Sequence, residues 1–262
     1  MTSKFVDPAT SDRHWIEVRG LTKYFLDPAR GTVRAVDHIT FRCEPGMVFG
    51  LLGPNGAGKT TTLRMLSTVF KPTEGTALIW GHDVVQEPES VRRVIGFLSG
   101  DTGLYGRLSA RETLTYFGEL NDLPASRIGE RLEYLADRLD MRAFLDAKCN
   151  RLSTGQKQRV SIARTLIHDP PVLILDEPTA GLDIIASADI VRFILDARAD
   201  GKCIIFSTHY MREAERLCDR IGILHEGSLH AQGTLEDLRN QTGCHDLEDI
   251  FMKLARPDIR QQ

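Results

Sequence analysis

Residues 47–60 read MVFGLLGPNGAGKT, and the chain continues from Thr60 as TTTLRMLSTVF. An apolar run leads into a glycine-rich loop, and a helical pattern leaves it. The loop from Gly53 to Thr60 satisfies G-x-x-x-x-G-K-[ST] between strand and helix, the context this spacing requires. Gly56 and Gly58 let the backbone turn so that its N–H groups converge on phosphate oxygens, with Pro54, Asn55 and Ala57 completing the loop. The helix beginning near Lys59 adds its positive end. Lys59 supplies a compact charge for β- and γ-phosphates, the Thr60 hydroxyl can ligate Mg²⁺, and Thr61 adds a phosphate contact. An incidental glycine-rich turn would lack the flanking strand and helix. Pro72 predicts that the helix runs on to Lys71.

A second stretch answers the first. VLILDEP, residues 172–178, is a continuous apolar run ending in two acids, the pattern of a strand buried on both faces of a parallel sheet. Ligands bind at the carboxyl ends of such strands. Asp176 is therefore placed to face a metal held by Thr60, and Glu177 to orient or deprotonate an attacking water.

Outward from these motifs, strand-like runs stand at WIEVRGL, AVDHITFRC and GTALIW, punctuated by Gly, Pro and Asp. From about Ser109 to Cys149 the apolar spacing turns helical, in ARETLTYFGEL and ERLEYLADRLD, and Ser109 with Glu112 fits a capping box. Thereafter QKQRVSIARTLI, ASADIVRFILDARAD and MREAERLCDR read as helices alternating with the strands VLILDEP, KCIIFSTH and IGILHEG, which favours a mostly parallel sheet. From about Gly233 the chain is charged and short-helical, in TLEDLRN and DLEDIFMKLA, with residues 236–262 as a short helical tail, and residues 1–14 read as a flexible N-terminal arm.

The chain has 262 residues, 42% hydrophobic and 26% charged, with a net charge of −3. This usage excludes a collagen-like, disordered or disulfide-framework chain, and the length suits one elaborate domain or two small ones. No basic excess calls for nucleic acid or an anionic membrane surface. No run approaches the ~18 apolar residues of a membrane span, and the N-terminal stretch lacks the apolar core of a secretory leader. Five scattered cysteines without a CxxC pair read as small buried hydrophobes, reduced in a cytosolic setting.

A third motif narrows the reading. LSTGQKQRV, residues 152–160, resembles the LSGGQ signature of ABC-type ATPases, with Thr154 where that family usually has Gly. Ser153 would cap the helix that follows, and Gly155 permits close approach of backbone to phosphate. Other positions match the same family: AGLD after Glu177 resembles its D-loop, with Asp183 toward a dimer interface. His209 stands at its switch histidine, and LTKYF offers Phe25, or alternatively Tyr24, to stack on adenine.

The resemblance covers residues 15–235. It implies an α/β fold: a P-loop NTPase (RecA-like) core with an antiparallel β subdomain and an α-helical subdomain inserted over about 101–160. It implies ATP and Mg²⁺ as cofactors, with Glu177, His209 and Lys59 catalytic and Thr60 with Asp176 at the metal. Ser153, Gly155, Gln156 and Asp183 would complete the nucleotide site of a second ATPase subunit. The remaining partner would be an integral membrane permease, which keeps the chain cytoplasmic on the inner face of the membrane. The stretch GFLSGDTGLY and the DLEDIFMKLA tail are similar to bacterial exporter ATPases of the sodium-efflux (NatA-like) type. One departure stands out: Gly100 occupies the place of the family's usual Gln, leaving Ser99 or Asp101 as substitutes. A soluble ABC-type ATPase of ribosomes or DNA would typically carry two cassettes or a long coiled-coil insertion. A P-loop kinase would leave LSTGQ and AGLD unexplained. A non-hydrolysing regulatory subunit, suggested by Gly100 and Thr154, would not need Glu177.

Overall fold

The computed structural model describes residues 15–29, 31–100 and 103–255, so the arm expected over 1–14 lies outside the described residues. Four strands form an antiparallel sheet in the order β2 (Gly31–Cys43), β1 (Ile16–Asp27), β4 (Glu74–Ile79), β5 (His82–Asp83). A second sheet has six strands. Its parallel part runs β9 (Arg220–His225), β3 (Val48–Leu52), β8 (Cys203–Thr208), β7 (Val172–Asp176), β6 (Ile95–Leu98), and β10 (Ser228–Gly233) closes the β9 edge antiparallel.

The apolar run VLILD explains the layering. β3, β7 and β8 are buried along their whole length. Alternate residues point to opposite faces: Leu173 and Leu175 join Ile204, Phe206 and the helical insertion, whereas Val172 and Ile174 join Phe49, Ile205 and the antiparallel sheet. Each such Leu or Ile removed from water contributes ~1.5–3 kcal/mol. Phe41 of β2 and Phe49 of β3 stack at 4.6 Å where the two sheets meet.

The insertion consists of α3 (Ala110–Leu120) and α4 (Ala125–Arg138), leading into α5 (Thr154–Leu166). Ser109 and Glu112 form the expected capping box of α3. Leu114, Leu132, Leu135 and Phe144 of this region share one apolar cluster with the sheet residues Leu173 and Phe206, so the insertion is packed onto the core rather than around a core of its own.

α1 (Lys59–Leu66) is shorter than Pro72 predicts. It stops when Thr68 enters the left-handed region at φ 61°, with Thr68 N–H donating to Met65 and Val69 N–H to Arg64. That paired closure ends a helix without a proline. Between α7 (Met211–Leu217) and the chain's end, α8 (Leu235–Thr242) and α9 (Leu247–Ala255) bury Leu238, Leu247 and Ile250 against Leu52, Ile221 and Ile223. α2 (Pro88–Val94), β6 and β10 are elements the sequence pattern left unmarked, being short and weakly periodic. α6 (Ile184–Ala199) follows β7.

Candidate active site

The phosphate loop leaves the buried end of β3 and turns into α1. Gly58 has φ 104°, and a Cβ there would come 2.5 Å from the Ala35 carbonyl. At Gly53 a Cβ would come 2.2 Å from the Leu224 carbonyl. Only glycine fits either position. No side chain caps α1, and its first turn holds no acid. Its first residues border a cavity of about 170 Å³ lined by Ala35, the loop from Pro54 to Thr61, and Glu177. A bare, glycine-cradled helix start fits a nucleotide's phosphate groups. Lys59 Nζ donates to the carbonyls of Gly53 and Pro54 at 2.7 and 3.1 Å, and lies 3.3 Å from Glu177 Oε1.

The sheet brings the strand-end acids to this loop. Thr60 Oγ1 donates to Asp176 Oδ1 at 3.1 Å. β7 and β8 pair Asp176 with Ser207 in register, and Ser207 Oγ donates to Asp176 Oδ1 at 2.6 Å. The Thr60 hydroxyl and the Asp176 carboxylate are hard oxygens side by side. This sparse donor set fits Mg²⁺, which takes one or two carboxylates and completes its shell with phosphate and water oxygens. Among the described residues no group of three or more His, Cys, Asp or Glu could hold a metal without such help. Glu177 sits at φ 45°, its amide hydrogen-bonded to Ser207 Oγ at 3.0 Å. His209 Nδ1 lies 3.2 Å from Glu177 Oε1, yet this buried nitrogen makes no hydrogen bond: the two atoms touch off-line.

The other expected nucleotide contacts gather elsewhere. Ser153, Thr154, Gly155, Gln156, Gly181, Leu182 and Asp183 line a separate cavity of about 670 Å³. Ser153 caps α5, accepting from Gln156 N–H at 3.3 Å while Gln156 Oε1 accepts from Ser153 N–H at 3.0 Å. Asp183 caps α6, accepting from Ala186 N–H at 2.8 Å. A Cβ on Gly155 would meet Ala186 Cβ at 3.3 Å, so the α5 start is packed closely on α6.

Neither candidate aromatic lines the phosphate cavity. Phe25 packs edge-on against Phe70 at 5.6 Å with Lys23 over its ring, and Tyr24 lies under Arg34. Both stand on β1 opposite Val33 and Arg34, just before Ala35 on β2. Gly100 is exposed, with open space where a Cβ would go. Ser99 beside it is buried, and Asp101 lies outside the described residues. Sequence reasoning missed Ser207, whose signal was a hydroxyl at the end of the strand paired with β7. It also missed Gln158, whose Nε2 donates to the Pro178 carbonyl at 2.6 Å.

A family model for ABC transporters matches residues 36–180. The ABC transporter ATP-binding protein NatA of Bacillus subtilis (strain 168) is 43% identical over 243 residues, covering 92% of this chain and 98% of that protein. The Nod factor export ATP-binding protein I of Ralstonia nicotianae is 39% identical over 237 residues, covering 90% and 76%. A solved ATP-binding subunit of an ABC transporter has a TM-score of 0.83 at 31% identity, covering 92% of this chain and 100% of that one. A post-hydrolysis state of the ATP-binding cassette MJ0796, bound to ADP and Pi, has a TM-score of 0.76 at 26% identity, covering 84% and 98%. With a phosphate-loop lysine, a strand-end carboxylate pair and a capped signature helix set on this fold, the chain belongs to the ABC transporter family, as one of its ATP-binding and ATP-hydrolysing subunits.

Proposed function

We propose that two copies of this chain close head to tail on two ATP molecules and drive export through a separate membrane permease. One observation carries the reading. The cavity of the phosphate loop and the cavity of Ser153, Gly155 and Asp183 share no lining residue, so one chain offers both halves of a nucleotide site but not a whole one. Ile184 and Ile185, beside the second cavity, are 89% and 75% exposed, an apolar edge that a second copy would cover.

In this arrangement Lys59 exchanges Glu177 for the β- and γ-phosphates, and the bare start of α1 receives their oxygens. Glu177 orients the water and takes its proton as the oxygen attacks the γ-phosphorus and the bond to ADP breaks. His209 steadies the γ-phosphate beside Glu177. Ser153 and Gly155 of the second copy close the far side, and Phe25 or Tyr24 stacks on the base. Mg²⁺ held by Thr60 and Asp176 would neutralise phosphate charge.

No described helix is long and apolar enough to cross a membrane, so we assign the span to the permease, which would hold this chain at the inner face of the membrane. The docking face is the groove near Asp101–Arg111 and the helical insertion, among whose described residues Tyr105 and Tyr116 are exposed and meet edge to face at 6.2 Å. Export follows the relatives, one of which is a Nod factor export protein. The test is the mass of the Glu177→Gln chain in sedimentation. Saturating ATP should double it and ADP should not, and a monomer at saturating ATP would overturn the composite site.

A further inference from the structure

Gln158 stands on α5 five residues after Ser153. Its Nε2 donates to the Pro178 carbonyl at 2.6 Å. Pro178 follows Glu177 and has no N–H of its own, so that carbonyl is the available grip on this side of the turn. From the other side β8 holds the turn, because Glu177 N–H reaches the Ser207 carbonyl at 3.2 Å and Ser207 Oγ at 3.0 Å. Glu177 itself has φ 45°, a conformation a non-glycine residue keeps only under constraint. The turn that aims the water carboxylate is thus clamped between β8 and α5. Arg159, the next residue, ties α5 to α6 through Asp189 at 2.5 Å, so the α5 start moves with its surroundings as one block.

We infer that Gln158 is a positioning residue that reports the closure of one nucleotide site to the water carboxylate of the other. The inference rests on the head-to-tail reading, in which Ser153 and Gly155 serve the second copy's ATP while Glu177 serves this chain's own. A helix rises about 1.5 Å per residue and is stiff. A shift at Ser153 on closing therefore reaches Gln158 nearly undiminished, and through its amide the Glu177–Pro178 turn. Asp183, the other link between the two sites, has its carboxylate engaged in capping α6.

The test compares Gln158→Glu, which keeps the shape and loses the donor, with Gln158→Lys, which keeps a donor, in the full chain. Gln158→Glu should lower kcat about tenfold, since misplacing a reacting group by a fraction of an ångström suffices for that. It should bring the Hill coefficient for ATP toward 1 and leave KM unchanged, with Tm lowered no further than the loss of one part-buried hydrogen bond allows. Gln158→Lys should recover most of both. Unchanged kcat and Hill coefficient in Gln158→Glu would overturn the inference, as would a wild-type Hill coefficient of 1. Equal losses in both variants with a Tm lowered further than that would make Gln158 a packing residue and overturn it too. Failure of the head-to-tail reading shows separately, as a Glu177→Gln chain that stays monomeric in ATP whatever Gln158→Glu does.

Discussion

Lys59 Nζ and Glu177 Oε1 lie 3.3 Å apart, so the lysine of the phosphate loop and the carboxylate at the end of β7 are ion-paired across the site. The lysine side chain is 5% exposed and the glutamate 26%. On the proposed role of Lys59, an incoming γ-phosphate would compete with Glu177 for it. The residue proposed to serve the water would thus also restrain the residue proposed to serve the phosphate.

Replacing Glu177 by Gln should separate these two effects. Loss of the base lowers turnover by ~10²–10⁴. Release of Lys59 from a partly exposed pair worth ~1 kcal/mol should tighten ATP binding severalfold. Phosphate release measures the first and equilibrium titration with ATP the second. Turnover close to wild type would remove Glu177 from its assigned role.

Asp176 receives Thr60 Oγ1 at 3.1 Å and Ser207 Oγ at 2.6 Å on one oxygen, and Ser207 also receives the Glu177 amide at 3.0 Å. Asp176→Asn should raise the Mg²⁺ concentration for half-maximal turnover at least about tenfold, because the charged oxygen would be the strong ligand of the proposed sparse set. Chelating the metal should stop turnover of the wild-type chain. Ser207→Ala should lower both stability and turnover, since the buried Asp176 carboxylate loses a hydrogen bond worth ~1 kcal/mol and the half-buried Glu177 amide keeps only its bond to the Ser207 carbonyl. A Mg²⁺ titration unchanged in Asp176→Asn would refute the metal assignment.

The phosphate loop and VLILDEP were legible because each joins a periodic element to a fixed spacing of chemical groups. The run of apolar residues placed β7 in the sheet interior, and the pairing of β7 with β8 then delivered Asp176 beside Thr60. Capping was equally legible at Ser109 and Ser153, where one side chain and one amide decide the geometry. The end of α1 was not, because the left-handed Thr68 closes the helix by backbone bonds that no residue type announces. Nor was Ser207 or Gln158, whose partners lie 31 and 20 residues away and meet only once the sheet has formed.

The glycines offer a contrast in one chain. At Gly58 a Cβ would sit 2.5 Å from a carbonyl with φ at 104°, whereas at Gly100 it would meet nothing within 4 Å. Gly58→Ala should abolish ATP binding or lower stability by ~1–3 kcal/mol, the range of an enforced left-handed strain. Gly100→Gln should fold with an unchanged Tm. Because it restores the side chain common in the family, it should lower the Mg²⁺ concentration needed for turnover. Thermal melts with and without ATP, and a Mg²⁺ titration, decide both.

His168 predicts a pH dependence of stability away from the nucleotide site. Its ring Nε2 lies 3.0 Å from the Ile95 carbonyl, and its Nδ1 is buried without a partner. Burial pushes its pKa below the usual 6.5, against the pull of that backbone bond, and the nearby Lys202 and Arg131 push the same way while Asp169 opposes them. The unfolded chain then binds a proton that the folded chain refuses. Stability is full above the unfolded pKa of about 6.5, falls as pH drops through the interval down to the folded pKa, and is level below it as far as this group is concerned. His168→Gln keeps a donor for Ile95 and cannot be protonated, so urea unfolding between pH 5 and 7.5 should show a shallower loss of stability than wild type. Turnover at pH 7.5 should stay the same, since His168 is not among the residues lining the phosphate cavity. Parallel stability curves for the two proteins would mean that His168 meets its proton from water in the folded state as readily as in the unfolded one.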